Sequence, residues 1–323
     1  MTDTEVLLQQ LIIGLSNGMI IALIALGYTM VYGIVELINF AHGDLFMLGC
    51  FAALTVLAGL GLAPLPSDAL STAHWIASLL ALFTIVPIFC GALNVAIDKF
   101  AYRPLRNSPR LVLLVSALGV SFIFLNVGLM WGGLPLEAFN GGAYAASPKD
   151  FPQLLSNDNL LGESVIQFSP KDLLVLCVTT PLLLALVLFV TRTQFGRAMR
   201  AVAQNPIAAR LVGINVDKVI SVTYFIGGAL AGVASIIYSL YNNTIFFQMG
   251  YRVGVDAFTA AVLGGIGNLL GAVIGGLLIG FIRALSDQYI ATEWTNTVVF
   301  SLLICVLVFR PSGIFGRNQR EKV

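Results

Sequence analysis

Four residues whose side chains can bind a solute or carry a proton fall within nine positions of the sequence: Glu36, Asn39, His42 and Asp44. Gly43 lies between the last two, and long apolar runs flank the group. One interpretation is a helix interrupted at this point, whose freed backbone amides would suit an anion such as a carboxylate. The other is a turn at a membrane face, in which His42 and Asp44 cap the next helix and meet water or a partner protein. Both remain open, while a proton relay through His42 is disfavoured because no second membrane histidine supports it.

A second candidate for function is a run of six glycines within thirteen positions. The set comprises Gly264, Gly265, Gly267, Gly271, Gly275 and Gly276. Three of them, Gly267, Gly271 and Gly275, are spaced by four, which predicts a smooth helix face that another helix can approach closely. The alternative is that the same residues line a narrow solute path, and the two interpretations are compatible.

The third candidate is the basic stretch 192–219, RTQFGRAMRAVAQNPIAARLVGINVDKV. It has room for a short helix with Pro206 in its first turn, where proline fits, and with Asn205 as its cap. Gly213 should end this helix, because glycine readily adopts the left-handed conformation. Such a helix between two membrane spans suits docking by a partner, whereas a solvated loop held by anionic lipid is the equally open alternative.

The elements that must position these residues are membrane helices. Only 10% of the 323 residues are charged and 58% are hydrophobic, whereas a soluble domain carries about 25% charged residues. We therefore expect an all-α, polytopic membrane protein that forms one domain over residues 1–323. Apolar runs near the roughly 20 residues that a spanning helix needs occur at 7–34, 38–60, 73–98, 111–131, 171–191, 219–241, 269–286 and 294–310.

The basic residues predict the orientation, because cytoplasmic loops carry an excess of Lys and Arg. Thirteen of the 17 fall in three regions. These are Lys99, Arg103, Arg106 and Arg110; then Arg192, Arg197, Arg200, Arg210 and Lys218; then Arg310, Arg317, Arg320 and Lys322. The C-terminus should therefore be cytoplasmic. The N-terminus, which carries Asp3 and Glu5 but no basic residue, and the acidic segment 132–170 should lie outside.

Termini on opposite sides require an odd number of crossings. We therefore predict about nine, counting the short, glycine-ended stretch 256–267; eight, with this stretch re-entrant, would move one terminus to the other side. In this topology 7–34 and 219–241 enter from opposite sides, and each leads into a glycine-interrupted apolar stretch. The pattern is typical of the inverted repeats of transporters and predicts repeat halves at 7–131 and 219–310.

The sequence lacks the motifs of several kinds of catalytic and metal-binding site. It contains no GxxxxGK[ST] phosphate loop, so we expect no ATP hydrolysis by that route, and no HExxH or GxSxG motif. The four cysteines lie inside apolar runs without metal-ligand spacing. We therefore predict no enzyme activity, metal or cofactor, and favour a translocating subunit. An ion-coupled carrier or channel is the alternative, but its coupling site would have to be the 36–44 group or Arg283, near the ends of spans.

Five stretches of the sequence together form a specific set of motifs. They are GYTMVYGIVELINFAHGDLFMLG (27–49), AYRPLR (101–106), FGRAMRA (195–201), ARLVGIN (209–215) and AFTAAVLGGIGNLLGAVIGGLLIG (257–280). The set resembles the LivH-type permeases of branched-chain amino-acid ABC importers, from about residue 7 to the basic tail. The resemblance implies a permease subunit of the cell inner membrane that carries branched-chain or other neutral amino acids. Similar permeases for urea and short amides leave the cargo open.

The resemblance also implies partners: a periplasmic amino-acid-binding protein, a second, LivM-like permease and two cytoplasmic ATPase subunits. In this family the loop after the fifth span carries the segment that couples to the ATPases, and here it includes Arg197. The importer pattern, EAA followed after three residues by Gly, is matched in spacing by Ala208, Ala209 and Gly213. Ile207 replaces the acidic residue and the later proline is missing, which puts any specific contact of the pattern in doubt.

Overall fold

The computed structural model describes residues 2–36, 39–62, 72–106, 108–142, 144–310 and 312–316. Within these ranges the chain forms eleven α-helices and one short pair of strands. The helices are α1 (Asp3–Val35), α2 (Ala41–Gly59), α3 (Thr72–Ile97), α4 (Arg110–Gly132), α5 (Pro170–Arg192), α6 (Gln194–Gln204), α7 (Pro206–Leu211), α8 (Val216–Asn242), α9 (Met249–Gly264), α10 (Leu269–Tyr289) and α11 (Thr292–Phe309). The strands are β1 (Lys149–Asp150) and β2 (Thr244–Ile245), and a π-helical turn (Asp98–Tyr102) and a 3-10 turn (Arg103–Leu105) follow α3. The expected all-α architecture is confirmed.

Eight of the described helices are long and apolar enough to cross a membrane: α1, α2, α3, α4, α5, α8, α10 and α11. They coincide with the eight apolar runs predicted from the sequence, and the largest difference is the start of α1, at Asp3 instead of residue 7. The first backbone amides of a helix have no backbone acceptor, and side chains at the helix start accept their hydrogen bonds instead. Ser169 and Asp172 form a capping box at α5, and the Asn268 side chain accepts from the amide of Gly271 at α10.

The ninth predicted passage has a different form. α9 has 16 residues, fewer than the roughly 20 that span a bilayer. It begins seven residues before the predicted stretch 256–267, at Met249, and it ends earlier, at Gly264. The chain reaches α9 from β2 through residues 246–248, which are not helical. A ninth crossing would thus consist of α9 and the non-helical residues before it. The odd number of crossings stays a prediction.

One end of the helix bundle is formed by the regions that the sequence assigns to the outside. β1, between α4 and α5, pairs antiparallel with β2 just after α8. Near the start of α1, the Gln9 side chain donates to the carbonyl of Gln167 at 3.2 Å and accepts from its amide at 2.8 Å. The start of α1, the segment 132–169 and the end of α8 therefore lie together.

The opposite end collects the predicted cytoplasmic regions. Arg103 and Arg106, which precede α4, both pair with Asp217 in the first turn of α8, at 2.8 Å. The Asn268 side chain donates to the carbonyl of Phe315 at 3.0 Å, which holds the chain after α11 against the α9–α10 turn. Three basic residues of the third predicted cytoplasmic region lie outside the described residues: Arg317, Arg320 and Lys322.

The bundle has a buried centre and an apolar periphery. α1, α2 and α8 bury most of their length, whereas α4, α5 and α11 turn large apolar side chains outward, as membrane-facing helices do. Glycines allow the central backbones to approach closely. A Cβ on Gly18 of α1 would lie 2.9 Å from the Cα of Leu277 in α10. Close glycine contacts therefore fix α10 along α1.

Candidate functional site

The first turns of α2 and α9 pack directly on each other inside the bundle. A Cβ added to Gly43 of α2 would lie 2.7 Å from the Cα of Gly254 in α9. From this contact α2 runs to the end of the bundle that the sequence assigns to the outside, where Phe51 stacks on Phe139 at 6.0 Å. α9 runs to the opposite end, where the carbonyl of Gly264 accepts from the amide of Phe315. Two helix N-termini therefore meet within the bundle and point away from each other.

Asp44 places a carboxylate at this junction. Its side chain is buried, and one oxygen accepts a hydrogen bond from the Ser121 hydroxyl of α4. The other oxygen has no hydrogen-bond partner in the described part of the chain and faces α9, because a Cβ on Gly250 would lie 2.7 Å from it. Helix N-termini favour negative charge. The acidic group at these helix starts is therefore the protein's own Asp44 side chain.

His42 is buried beside Asp44 and does not meet water. Its ring packs edge-on against Tyr28 with centroids 4.8 Å apart, and Gly27 of α1 leaves the space that the ring fills. Neither ring nitrogen has a hydrogen-bond partner among the described residues. The interpretation of His42 and Asp44 as water-exposed caps is therefore wrong. α1 ends at Val35, and α2 starts at Ala41 without a side-chain cap from Phe40.

Asn39 lies at the start of this buried segment and is held from α3 and the turn after it. Its side-chain oxygen accepts from the hydroxyl of Tyr102 at 2.7 Å, and its amide donates to Asn94 at 3.4 Å. Asn94 in turn donates to the backbone carbonyl of Tyr224 at 2.7 Å. Sequence reasoning missed Tyr102 as a partner, although it lies within the AYRPLR motif.

The predicted glycine residues serve two purposes. Gly264 and Gly271 face each other across the α9–α10 turn, so that α9 and α10 approach closely. Gly265 and Gly267 lie in the turn itself with φ of 101° and 90°, conformations that favour glycine. The expected helix face of Gly267, Gly271 and Gly275 is therefore wrong for Gly267, which precedes α10, whereas Gly271 and Gly275 both lie on the side of α10 that faces α9.

A narrow cavity lies between the group at residues 36–44 and the glycine-rich α9–α10 turn. It is lined by Tyr28, Tyr32, Phe258, Ala261 and Ile266, and has room for about one water molecule. Tyr28 contacts His42, and Ile266 lies between Gly265 and Gly267. The space between α1 and α9 at this point is therefore too small for an amino acid.

The third candidate segment forms two short helices. α7 starts after Asn205, whose side chain accepts from the amides of Ile207 and Ala208, as predicted. It ends with Gly213 at φ 84°, and the amide of Ile214 bonds the carbonyl of Ala209, which completes a C-terminal cap. α6, which carries Arg197 on its exposed side, was not expected as a separate helix.

α7 presents an apolar surface to the outside of the bundle. Ile207, Leu211 and Val212 are 71%, 84% and 76% exposed. Ala208 and Gly213 are also exposed, while Ala209 is buried. Exposed apolar patches mark contacts with a partner protein or with a membrane, so both interpretations of this segment stay open.

Buried charge also occurs away from the predicted residues. Arg283 of α10 donates to Asp256 of α9 at 2.7 Å and to Asn296 of α11 at 2.8 Å. Asp172 of α5 accepts from Ser16 of α1 at 2.7 Å and from Tyr241 of α8 at 3.2 Å. Among the described residues no three His, Cys, Asp or Glu side chains are grouped to hold a metal ion. These charged groups therefore tie helices together.

Known proteins match the chain along nearly its whole length. Residues 10–307 match the family described as "Branched-chain amino acid transport system / permease component". The chain is 40% identical to the high-affinity branched-chain amino acid transport system permease protein BraD of Pseudomonas aeruginosa, with 98% of each chain covered. It is 40% identical to LivH of Salmonella typhimurium and 39% identical to LivH of Escherichia coli, each over 98% of this chain and 97% of the relative.

Proposed function

The chain belongs to the family of branched-chain amino acid transport permease components, and we propose that it forms the membrane path of an ATP-driven importer for branched-chain or other neutral amino acids. The observation that carries this proposal is the identity of about 40% with BraD and LivH, because it extends over almost all of both chains. It agrees with the resemblance seen in the motifs.

The contact between the starts of α2 and α9 supports a solute path at this position. Buried polar groups in a membrane domain are costly and mark ion or substrate pathways. Here Asn39, His42 and Asp44 are buried together, and two of them carry atoms without hydrogen-bond partners among the described residues. We assign these three residues, with Gly264, Gly265 and Gly267, to the path that opens between α1, α2 and α9.

The partners are assigned from the same family and from α7. A permease component needs further components, and we assign a binding protein outside, a second LivM-like permease and two cytoplasmic ATPase subunits. The exposed Ile207, Leu211 and Val212 form the apolar part of the ATPase contact. Arg197, Ala208, Ala209 and Gly213 belong to the same coupling segment. This arrangement places α7 on the cytoplasmic side of the inner membrane, with the N-terminus outside and the C-terminus inside.

Reconstitution tests the proposal directly. The permease with its partner subunits, in proteoliposomes that contain ATP, should accumulate labelled leucine when the binding protein is supplied. Leucine, isoleucine and valine in excess should compete with the label, while urea and acetamide should not. Uptake by this chain alone without ATP would establish the ion-coupled carrier instead, and competition by urea alone would move the cargo to short amides.

A further inference from the structure

Side-chain hydrogen bonds and one π-helical turn join the segment after α7 to the start of α2. This line begins at Asp217, four residues after Gly213, in the first turn of α8. It passes through Arg106 to Asp98, continues along the π-helical turn to Tyr102, and ends on Asn39. No predicted site residue other than Asn39 belongs to this line.

The first half of the line is ionic. The Arg106 guanidinium donates through one nitrogen to Asp217 at 2.8 Å and through the other to Asp98 at 2.5 Å. Asp98 is buried and also accepts from the Ser221 hydroxyl of α8 at 3.2 Å. The planar fork of an arginine holds two carboxylates in fixed directions. A shift of Asp217 is therefore passed to Asp98, since a buried carboxylate without its partner is strongly unfavourable.

The second half ends in a buried hydrogen bond between two uncharged side chains. Asp98 and Tyr102 are the first and last residues of the π-helical turn. Tyr102 is fully buried, and its hydroxyl donates to the Asn39 side chain at 2.7 Å. Single π-helical turns are frequent at functional sites. A claim of coupling requires an element with two discrete arrangements, and the π-helical turn between Asp98 and Tyr102 is the candidate for it.

We propose that Asp217, Arg106, Asp98 and Tyr102 are positioning residues that transmit movement of the ATPase-docking helix α7 to the buried start of α2. The proposal rests on the proposed function, because it needs ATPases that move α7. A displaced α7 carries the start of α8 with it through residues 212–215. Arg106 transmits this displacement to the π-helical turn, and Tyr102 pulls Asn39, so that the start of α2 moves away from α1 beside His42.

Two tyrosines provide a matched test. Tyr102→Phe removes the hydroxyl that bonds Asn39. Tyr224→Phe is the control, because Tyr224 is equally buried, its ring lies 6.1 Å from that of Tyr102, and its hydroxyl has no hydrogen-bond partner in the described chain. The measured quantity is leucine uptake per ATP hydrolysed in the reconstituted importer, for the wild type and for each variant. We expect roughly a tenfold fall for Tyr102→Phe, the effect of one lost buried hydrogen bond, and no change for Tyr224→Phe.

A double substitution separates transmission from local damage. Asp217→Asn should also lower uptake per ATP, and adding Tyr102→Phe should lower it little further, because both changes interrupt one line. Lys218→Gln, at the adjacent exposed residue, should leave the ratio unchanged. Additive losses, or a Tyr102→Phe importer that is less heat-stable but transports normally per ATP, would overturn the proposal. Coupled uptake by the wild-type importer tests the proposed function separately.

Discussion

At the scale of single residues, the close contact of α2 and α9 depends on glycine. Gly43→Ala should destabilise the protein by about 1–3 kcal/mol, since the added Cβ would lie 2.7 Å from the Cα of Gly254 and force the helices apart. Gly119→Ala in α4 is the control, because no atom lies within 4 Å of its Cβ position. It should stabilise α4 by up to about 1 kcal/mol. Thermal unfolding in detergent measures both, and equal effects would contradict the contact.

The same residues show what the sequence could and could not predict. Spacing and residue type identified Asn39, His42 and Asp44 as a group. Their burial was not predictable, because it depends on groups distant in the chain, such as Ser121 at Asp44 and Gly254 at Gly43. Hydrophobic periodicity reports which residues avoid water, but it does not report which distant residue supplies the contact.

At the scale of elements, α9 is too short to span the membrane, and the ion pair of its Asp256 with Arg283 holds it against α10. Asp256→Leu should cost about 3–5 kcal/mol, because Arg283 is then buried without its carboxylate. The double variant Asp256→Leu with Arg283→Met should recover most of this loss, since apolar residues of similar size often replace a buried pair without cost. The midpoint of thermal unfolding in detergent measures the stability of both variants. A double variant as unstable as the single one would refute the stabilising role of the ion pair.

α7 depends on one backbone conformation at its end. Gly213 has φ 84° and open space around its Cβ position, so a substitution acts through the backbone and not through a clash. Gly213→Val should uncouple ATP hydrolysis from uptake, because a branched side chain is unfavourable in the left-handed region by roughly 1–2 kcal/mol. Gly213→Asn should retain more coupling, since asparagine tolerates this conformation. Equal coupling in the two variants would show that the end of α7 is not the sensitive feature.

Element boundaries were largely predictable, and their exceptions have physical causes. Caps such as Asn205 and Gly213 act locally, so the ends of α7 follow from neighbouring residues. The start of α9 was misplaced by seven residues because Gly250, Arg252 and Gly254 weaken its apolar signal. In the structure Gly250 and Gly254 are required for contact with α2.

At the scale of the whole molecule, the contacts that α1 makes with α9 and α10 are repeated by the contacts that α8 makes with α2 and α3. α1 packs along α10 as α8 packs along α3, and α1 contacts α9 as α8 contacts α2. α2 and α9 touch each other at the centre. This exchange of helix partners supports the predicted repeat halves, 7–131 and 219–310, with α2 and α9 in contact between them. α5, α6 and α7 fall between the halves and supply the outer contacts of α1 and the docking surface.

The orientation of the whole chain, which the basic residues predict, can be tested by chemical labelling. Leu161, between β1 and α5, and Leu211, at the end of α7, are 53% and 84% exposed. In a variant without the four native cysteines, Leu161→Cys should react with a membrane-impermeant maleimide on intact cells. Leu211→Cys should react only after the membrane is permeabilised, because α5 crosses the bilayer between the two positions. Reaction of both residues on intact cells would place α7 outside, where no ATPase could dock, and would contradict both the topology and the coupling role.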